Sequence, residues 1–78
     1  MKLSELEINK MAVIENINCD SELRRRFYSF GIIKGATIFI ENISFAKNTM
    51  EINVEDTSIG LRVEEANFIE VTLKNTKE

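Results

Sequence analysis

Residues 23–36, LRRRFYSFGIIKGA, decide how this chain folds. The first part predicts an amphipathic helix over residues 21–30, because apolar side chains recur at i, i+4 and i+7 and form one stripe: Leu23, Phe27 and Phe30. Gly31 predicts the end of that helix, since glycine readily adopts the left-handed conformation found there. Gly35 predicts a type II turn over residues 32–35, in which it takes the positive φ. The stretch therefore predicts a short helix, its stop and a tight turn in succession.

Polar residues set the start of the predicted helix. Asp20 or Ser21 can cap the first turn, because either side chain can accept a hydrogen bond from a free backbone N–H group. Glu22 follows where the positive end of the helix dipole favours a negative charge. These residues and the glycine stop bound a helix of about three turns.

The rest of the chain predicts short strands joined by brief turns. Strand-like runs lie, in order, at Met11–Ile17, Thr37–Ser44, 50–54, 59–63 and 68–73. Residues 64–67 break the alternation and predict one helical turn. Because a flat sheet of this size leaves its edges open, we expect it to curl. The predicted fold is mainly β, a small SH3-like barrel of about five short antiparallel strands. One short α-helix follows the first long strand, and the helical turn precedes the last strand.

Length and hydrophobicity predict one domain. The chain has 78 residues, of which 44% are hydrophobic, and this length supports a single core. We expect residues 1–74 to form the domain and residues 75–78 to fray. The longest apolar run covers residues 11–14, whereas a membrane helix needs about 20 residues. Since the N-terminus also lacks the apolar core of a signal peptide, we expect a cytoplasmic protein.

Charge and residue types exclude several functional classes. The net charge of −3 argues against a dedicated nucleic-acid-binding protein, whose affinity depends on a basic face. The single cysteine excludes an internal disulfide and fits a reducing compartment. The chain has no histidine, and it shows neither a catalytic Ser/His/Asp or Cys/His set nor a phosphate-binding glycine loop. We therefore expect no catalytic residue and no enzymatic activity.

Three segments resemble the FeoA family, ferrous-iron transport protein A. Residues 3–6, LSEL, resemble the opening of the family pattern. Residues 23–26, LRRR, with Gly31 and Gly35 behind them, resemble its central arginine–glycine motif, which is the most specific of the three. Residues 61–66, LRVEEA, resemble its closing strand and turn. The resemblance covers almost the whole chain, so we expect an FeoA-like SH3-like barrel domain over residues 1–74.

Two features depart from the family pattern. Lys34 stands where the family usually has proline before the second glycine, and it fits the same turn with less rigidity. The hairpin at residues 45–49, FAKNT, replaces a segment that is often rich in proline and glycine. Phe45 in this hairpin is either an exposed contact or a core residue at the end of a strand. A partner that reads the hairpin tip would meet a different surface here.

The resemblance implies a small cytoplasmic accessory protein of ferrous-iron uptake. Its partner would be the cytosolic region of a FeoB-type transporter, a membrane protein with a guanine-nucleotide domain. The resemblance also implies transition-metal binding, and beyond such weak divalent-metal binding we expect no cofactor. SH3-like barrels commonly bind peptides or protein surfaces, although a fold alone does not establish a function.

The candidate partner-binding residues are Arg24, Arg25, Arg26 and Tyr28. Successive helix residues point about 100° apart, so the three arginines should cover a wide solvent-facing arc. In the alternative interpretation, they form a solvated face supported by pairing of Glu22 with Arg25 and Arg26. A second alternative is a nucleic-acid-binding barrel that uses the same arginines. A third is a free regulatory fragment, similar to the C-terminal domain of DtxR-type repressors, that binds a peptide in its groove.

The remaining candidates have structural interpretations. Gly31 and Gly35 are expected to serve the turns, since both stand where positive φ is needed. Cys19 with Asp20 and Glu22 is the cluster that mixes a thiol with carboxylates. A ferrous site normally uses imidazole or carboxylate ligands, so Cys19 is expected to be an ordinary small residue. No metal ligand is assigned.

Overall fold

The computed structural model describes residues 1–74 of the chain. The frayed tail predicted at residues 75–78 lies outside the described residues. The helices and strands follow in the order 3-10 turn Leu3–Glu5, β1 Met11–Ile17, α1 Ser21–Ser29, β2 Thr37–Ser44, β3 Thr49–Val54, β4 Thr57–Arg62, α2 Val63–Ala66 and β5 Ile69–Leu73.

The five strands form one antiparallel sheet with the order β4-β3-β2-β1-β5. The pairing shifts between Ile14 and Asn16 in β1 and between Ile40 and Asn42 in β2. Such bulges bend a strand and increase its twist, which curls the sheet around its own apolar face. The predicted mainly β class, with five short antiparallel strands and few helices, is confirmed.

Alternation along the strands separates the core from the surface. In β2 the buried side chains are Ile38 and Ile40, and in β4 they are Ile59 and Leu61. The 3-10 turn and the two helices close the core with Leu3, Phe27 and Ala66, which are fully buried. Among the described residues, no buried side chain is polar or charged. The interior is therefore suited to packing and not to chemistry.

Helix α1 is bounded by the residues that the sequence indicates. The Asp20 carboxylate accepts a hydrogen bond from the Leu23 N–H at 2.9 Å and caps the start. At the other end, Gly31 adopts φ 86° and donates to the Tyr28 carbonyl at 3.0 Å, while the Ile32 N–H donates to Phe27 at 3.0 Å. This pair of bonds is a Schellman motif. The predicted role of Gly31 is confirmed, although the helix ends at Ser29, one residue earlier than predicted.

The second glycine turns the chain into β2. The Ala36 N–H donates to the Ile33 carbonyl at 3.0 Å, so the turn covers residues 33–36, one residue later than predicted. Gly35 has φ 93° at its third position, which is the glycine position of a type II turn. The Gly35 N–H also donates to the Ile14 carbonyl at 2.8 Å. This bond fastens the helix-and-turn segment to β1.

Candidate functional site

The candidate site is built on α1, whose sides have different environments. Phe27 is fully buried in the core and Leu23 is half-buried against it. Phe30 was predicted to belong to the same stripe, and that prediction is wrong, because its side chain is 37% exposed. Phe30 is the C-cap residue, one position after the last residue of α1. A single aromatic anchor therefore holds the helix against the sheet.

Arg24 faces the protein and not the solvent. Its Nη2 donates to the Ile17 carbonyl at 3.0 Å and makes a longer contact of 3.4 Å with the Cys19 carbonyl. Its Nε is buried without a hydrogen-bond partner among residues 1–74. The expected solvent-facing arc of three arginines is therefore narrower, because Arg24 ties the start of α1 to the end of β1.

Arg26 makes an ion pair that the sequence did not indicate. Its Nη1 lies 2.7 Å from Oε2 of Glu65 in α2, and the two residues are 39 positions apart. Glu22, which the alternative interpretation pairs with Arg25 and Arg26, forms no salt bridge within the described part of the chain. The Arg26–Glu65 pair links α1 to α2. Although the Arg26 side chain is half-exposed, its guanidinium is therefore part of a contact that stabilises the fold.

The Glu65 carboxylate accepts two hydrogen bonds where α1 meets α2, one from Arg26 and one from Arg62. Its Oε1 accepts a hydrogen bond from the Arg62 N–H at 3.1 Å, which caps the start of α2. Partial burial is the largest single influence and by itself would raise the pKa of Glu65. The hydrogen bonds from Arg62 and Arg26 and the positive charges of both arginines together outweigh it. The pKa of Glu65 is therefore lowered from its usual value.

The lowered pKa of Glu65 makes the contribution of this carboxylate to stability depend on pH. We expect Glu65→Gln to lower the free energy of unfolding by about 1 kcal/mol at pH 7. Because the folded-state pKa lies below the usual value of 4.5, the carboxylate stabilises the fold fully above that value. Its contribution is lost as the pH falls through the lowered pKa. Urea unfolding of both proteins at several pH values should show the difference shrink in acid.

The matched control for that experiment is Glu64→Gln. Glu64 is the exposed neighbour in α2 and makes no hydrogen bond or salt bridge with an arginine among residues 1–74. Its replacement should change stability by less than about 0.5 kcal/mol at pH 7. Equal losses in the two variants would contradict the role assigned to the Arg26–Glu65 pair.

Arg25 and Tyr28 form the free surface of α1. Arg25 is exposed, and within residues 1–74 no hydrogen bond or salt bridge holds its guanidinium. Tyr28 is 53% exposed. Residues three apart on a helix are neighbours, so Arg25 and Tyr28 lie on the same side of α1. Sequence reasoning named both residues but could not separate them from Arg24 and Arg26.

The residues near the start of α1 do not fit a metal centre. Cys19 is half-buried and packs against the core, and the Asp20 carboxylate is engaged as the helix cap. Within residues 1–74, no three His, Cys, Asp or Glu side chains lie together in an arrangement that could hold a metal ion. The full chain contains no histidine. We therefore assign no ligand and derive no function through a bound metal.

The turn between β2 and β3 carries an exposed aromatic side chain. Phe45, at the turn between β2 and β3, is 88% exposed, so it is a surface residue and not part of the core.

Glu65 was not identified from the sequence as a structural residue, although its place three residues after Arg62 is the spacing of a helix capping box. Within residues 1–74, none of the helices combines the length and the hydrophobicity of a membrane-spanning segment.

Known proteins match this chain along nearly its full length. The sequence profile of the FeoA domain matches residues 1–73. The chain is 36% identical over 73 residues to the Campylobacter jejuni protein named Fe(2+) transport protein A, which covers 94% of this chain and 99% of that protein. These matches confirm the resemblance drawn from the arginine–glycine motif.

Solved structures agree with the sequence match. The solution structure of the FeoA protein from Chlorobium tepidum superposes with a TM-score of 0.90 at 27% identity and covers 100% of this chain and 74% of that one. The crystal structure of Stenotrophomonas maltophilia FeoA, solved in complex with zinc and described as an SH3 domain protein, gives 0.81 at 26% identity, with 92% and 89% covered. With the family profile spanning residues 1–73, this chain belongs to the FeoA domain family.

Proposed function

We propose that this protein is a cytoplasmic accessory protein of ferrous-iron uptake that docks through α1 on the cytosolic region of a FeoB-type transporter. The observation that carries the proposal is the exposed Arg25, which has no salt-bridge partner within residues 1–74, on the same side of α1 as the exposed Tyr28. Similar proteins in Campylobacter jejuni and Helicobacter pylori carry the name Fe(2+) transport protein A. This chain would act by binding and not by catalysis.

The docking surface is presented by a helix that is fastened at several points. The Asp20 cap and the Arg24 bonds hold its start, Phe27 holds its middle, and the Gly31 motif holds its end. The Arg26–Glu65 pair fixes its rotation against α2. A surface that is already rigid loses little conformational entropy on binding. The positions of Arg25 and Tyr28 are therefore set before a partner arrives.

The chemistry of Arg25 and Tyr28 favours a partner surface that combines a carboxylate with an adjacent apolar pocket. A guanidinium presents several N–H donors in a planar fork that suits carboxylates. Tyrosine offers a large apolar ring with a polar tip, and both residue types are common among the side chains that dominate binding energy. Within the predicted set of four, Arg25 and Tyr28 would make the contact. Arg24 and Arg26 would hold the helix in position.

The same surface is poorly suited to nucleic acid. The net charge is −3, and the guanidinium of Arg24 is turned to backbone carbonyls. Arg26 is already paired with Glu65. Of the three arginines of α1, this leaves one guanidinium, that of Arg25, without a partner within residues 1–74. One such cation can replace few of the counterions of a phosphate backbone, on which nucleic-acid binding depends.

Capture of the purified cytosolic region of a FeoB-type transporter tests the proposal. Arg25→Glu and Tyr28→Ala should each weaken capture by at least about tenfold, since a side chain at the centre of an interface contributes about 2 kcal/mol or more. Neither side chain makes a hydrogen bond or salt bridge within residues 1–74, so Arg25→Glu should keep the wild-type melting temperature. Tyr28→Ala also removes partly buried ring surface, so its melting temperature should fall by a few degrees while the fold is retained.

The hairpin between β2 and β3 supplies matched controls. Lys47→Glu makes the same change of charge as Arg25→Glu at another exposed site, and Phe45→Ala removes another exposed aromatic ring. Both should leave capture unchanged. Loss of capture with the hairpin variants and retention with the α1 variants would transfer the contact to the hairpin and refute the α1 proposal. Retention of RNA or DNA on wild-type protein at about 50 mM salt, lost with Arg25→Glu, would favour nucleic acid instead.

A further inference from the structure

The two edge strands of the sheet, β5 and β4, differ in whether their outer backbone groups are hydrogen-bonded. The outer edge of β5 is covered by the chain itself, because the Val71 N–H donates to Met1 at 2.8 Å and Lys2 forms a bridge with Glu70. The outer edge of β4, at the other end of the strand order, pairs with no strand among residues 1–74. Free edges invite pairing with another chain. The β4 edge is therefore a candidate interaction surface.

The hydrogen-bond phase shows which groups of β4 are free. The Val63 N–H donates to the Asn48 carbonyl at 3.0 Å, immediately beyond the Thr49–Arg62 pair. Because bonded and non-bonded pairs alternate in an antiparallel ladder, the even-numbered residues of β4 point their N–H and C=O groups outward. The Arg62 N–H is already bound to Glu65. The free groups that remain are centred on Ser58 and Gly60.

This edge lacks the usual protections against pairing. The β3–β4 ladder has no register shift, and β4 contains no proline. Gly60 is exposed, and a Cβ built at this position would have no heavy atom within 4 Å. An approaching strand would therefore meet no side chain at the middle of β4. Since lysines, prolines and bulges are the common means of blocking an edge, the strand is open.

We propose that a second copy of this chain pairs with β4, strand against strand and antiparallel, through a two-fold axis. The register that bonds the free groups of both copies places Ser58 opposite Gly60 of the second copy. The free N–H and C=O groups of both residues are then all bonded, and the Arg62–Glu65 bond is kept. Two residues further along, the same register places Arg62 beside the β3–β4 turn of the second copy, which contains Asp56.

Charge favours a second copy as the occupant. Arg62 lies at one end of β4 and Asp56 at the turn before the other end, and both are exposed. Neither forms a salt bridge within residues 1–74. A two-fold interface must be complementary to itself, and opposite charges at the two ends of one strand satisfy that condition twice. The pairing would join two five-stranded sheets into one.

Sedimentation equilibrium of the wild-type chain over a wide concentration range tests this inference. The apparent mass should rise from one chain to two. Gly60→Pro removes an outward N–H without breaking the ladder to β3 and should weaken dimerisation by at least about tenfold. Gly60→Ala keeps the N–H in open space and should leave the dimer intact. A wild-type mass that stays at one chain, or a dimer unaffected by Gly60→Pro, would refute the pairing.

A charge exchange provides a readout that does not depend on proline. Arg62→Glu and Asp56→Lys should each weaken the dimer, and the double variant should restore it. Failure of the double variant to restore association would overturn the proposed register. Arg25→Glu should leave dimerisation unchanged, because it lies on α1. This control separates the β4 pairing from the transporter docking proposed above, so either can fail alone.

Discussion

Replacing Phe27 with alanine should lower the free energy of unfolding by about 3–5 kcal/mol. Phe27 is fully buried and is the single residue of α1 that reaches the core in full. Its removal leaves a cavity beneath the helix and frees α1 from the sheet. A domain of this length has a small core and little stability to lose. Circular dichroism during urea unfolding should show a much lower midpoint or no folded state at all.

The control is the same substitution at Phe30. The two phenylalanines stand three positions apart in one predicted stripe, but Phe30 is 37% exposed. Phe30→Ala should therefore cost less than about 1.5 kcal/mol, since it removes only partly buried surface. Similar losses at both positions would show that α1 does not rest on Phe27 as described.

Replacing Gly31 with valine should cost about 2 kcal/mol or more. Gly31 has φ 86°, a conformation that penalises residues with a Cβ and is an outlier for β-branched ones. The nearest heavy atom to a Cβ built there is Val54 Cγ1 at 3.9 Å, so the cost comes from the backbone and not from a clash. For a domain of this size the melting temperature should fall by roughly 8–16 °C.

Gly31→Asn distinguishes the cost of the left-handed backbone conformation from the cost of the added side-chain volume. Asn tolerates the left-handed region better than other residues with a side chain, so Gly31→Asn should melt between the wild type and Gly31→Val. The φ of Gly31 explains this order, because both substitutions add atoms but only valine strongly resists the conformation. A Gly31→Val protein that melts at the wild-type temperature would contradict the assignment of the helix stop.

The class of fold was predictable because its signals are local. Alternation in β3 and β4 separates buried Ile52 and Leu61 from their more exposed neighbours within each strand, and neither assignment requires knowledge of the rest of the chain. The positive φ of Gly31 and Gly35 likewise follows from residue type and short spacing. The buried face of β1 was not predictable in this way. The bulge between Ile14 and Asn16 interrupts its alternation, and a bulge depends on the partner strand.

The candidate site shows where local signals end. Residue type and spacing placed Arg24, Arg25 and Arg26 on a short helix near an aromatic residue. They also indicated the helix stop and the family motif, and they narrowed the helix cap to two neighbouring residues. Three identical side chains in succession carry no information about which one meets solvent. That choice depends on how α1 is rotated against the sheet and on Glu65, which is 39 residues away from Arg26. Tertiary packing alone turned Arg24 to the backbone of β1 and left Arg25 without a partner within residues 1–74, because contacts between distant segments determine the environment of each side chain.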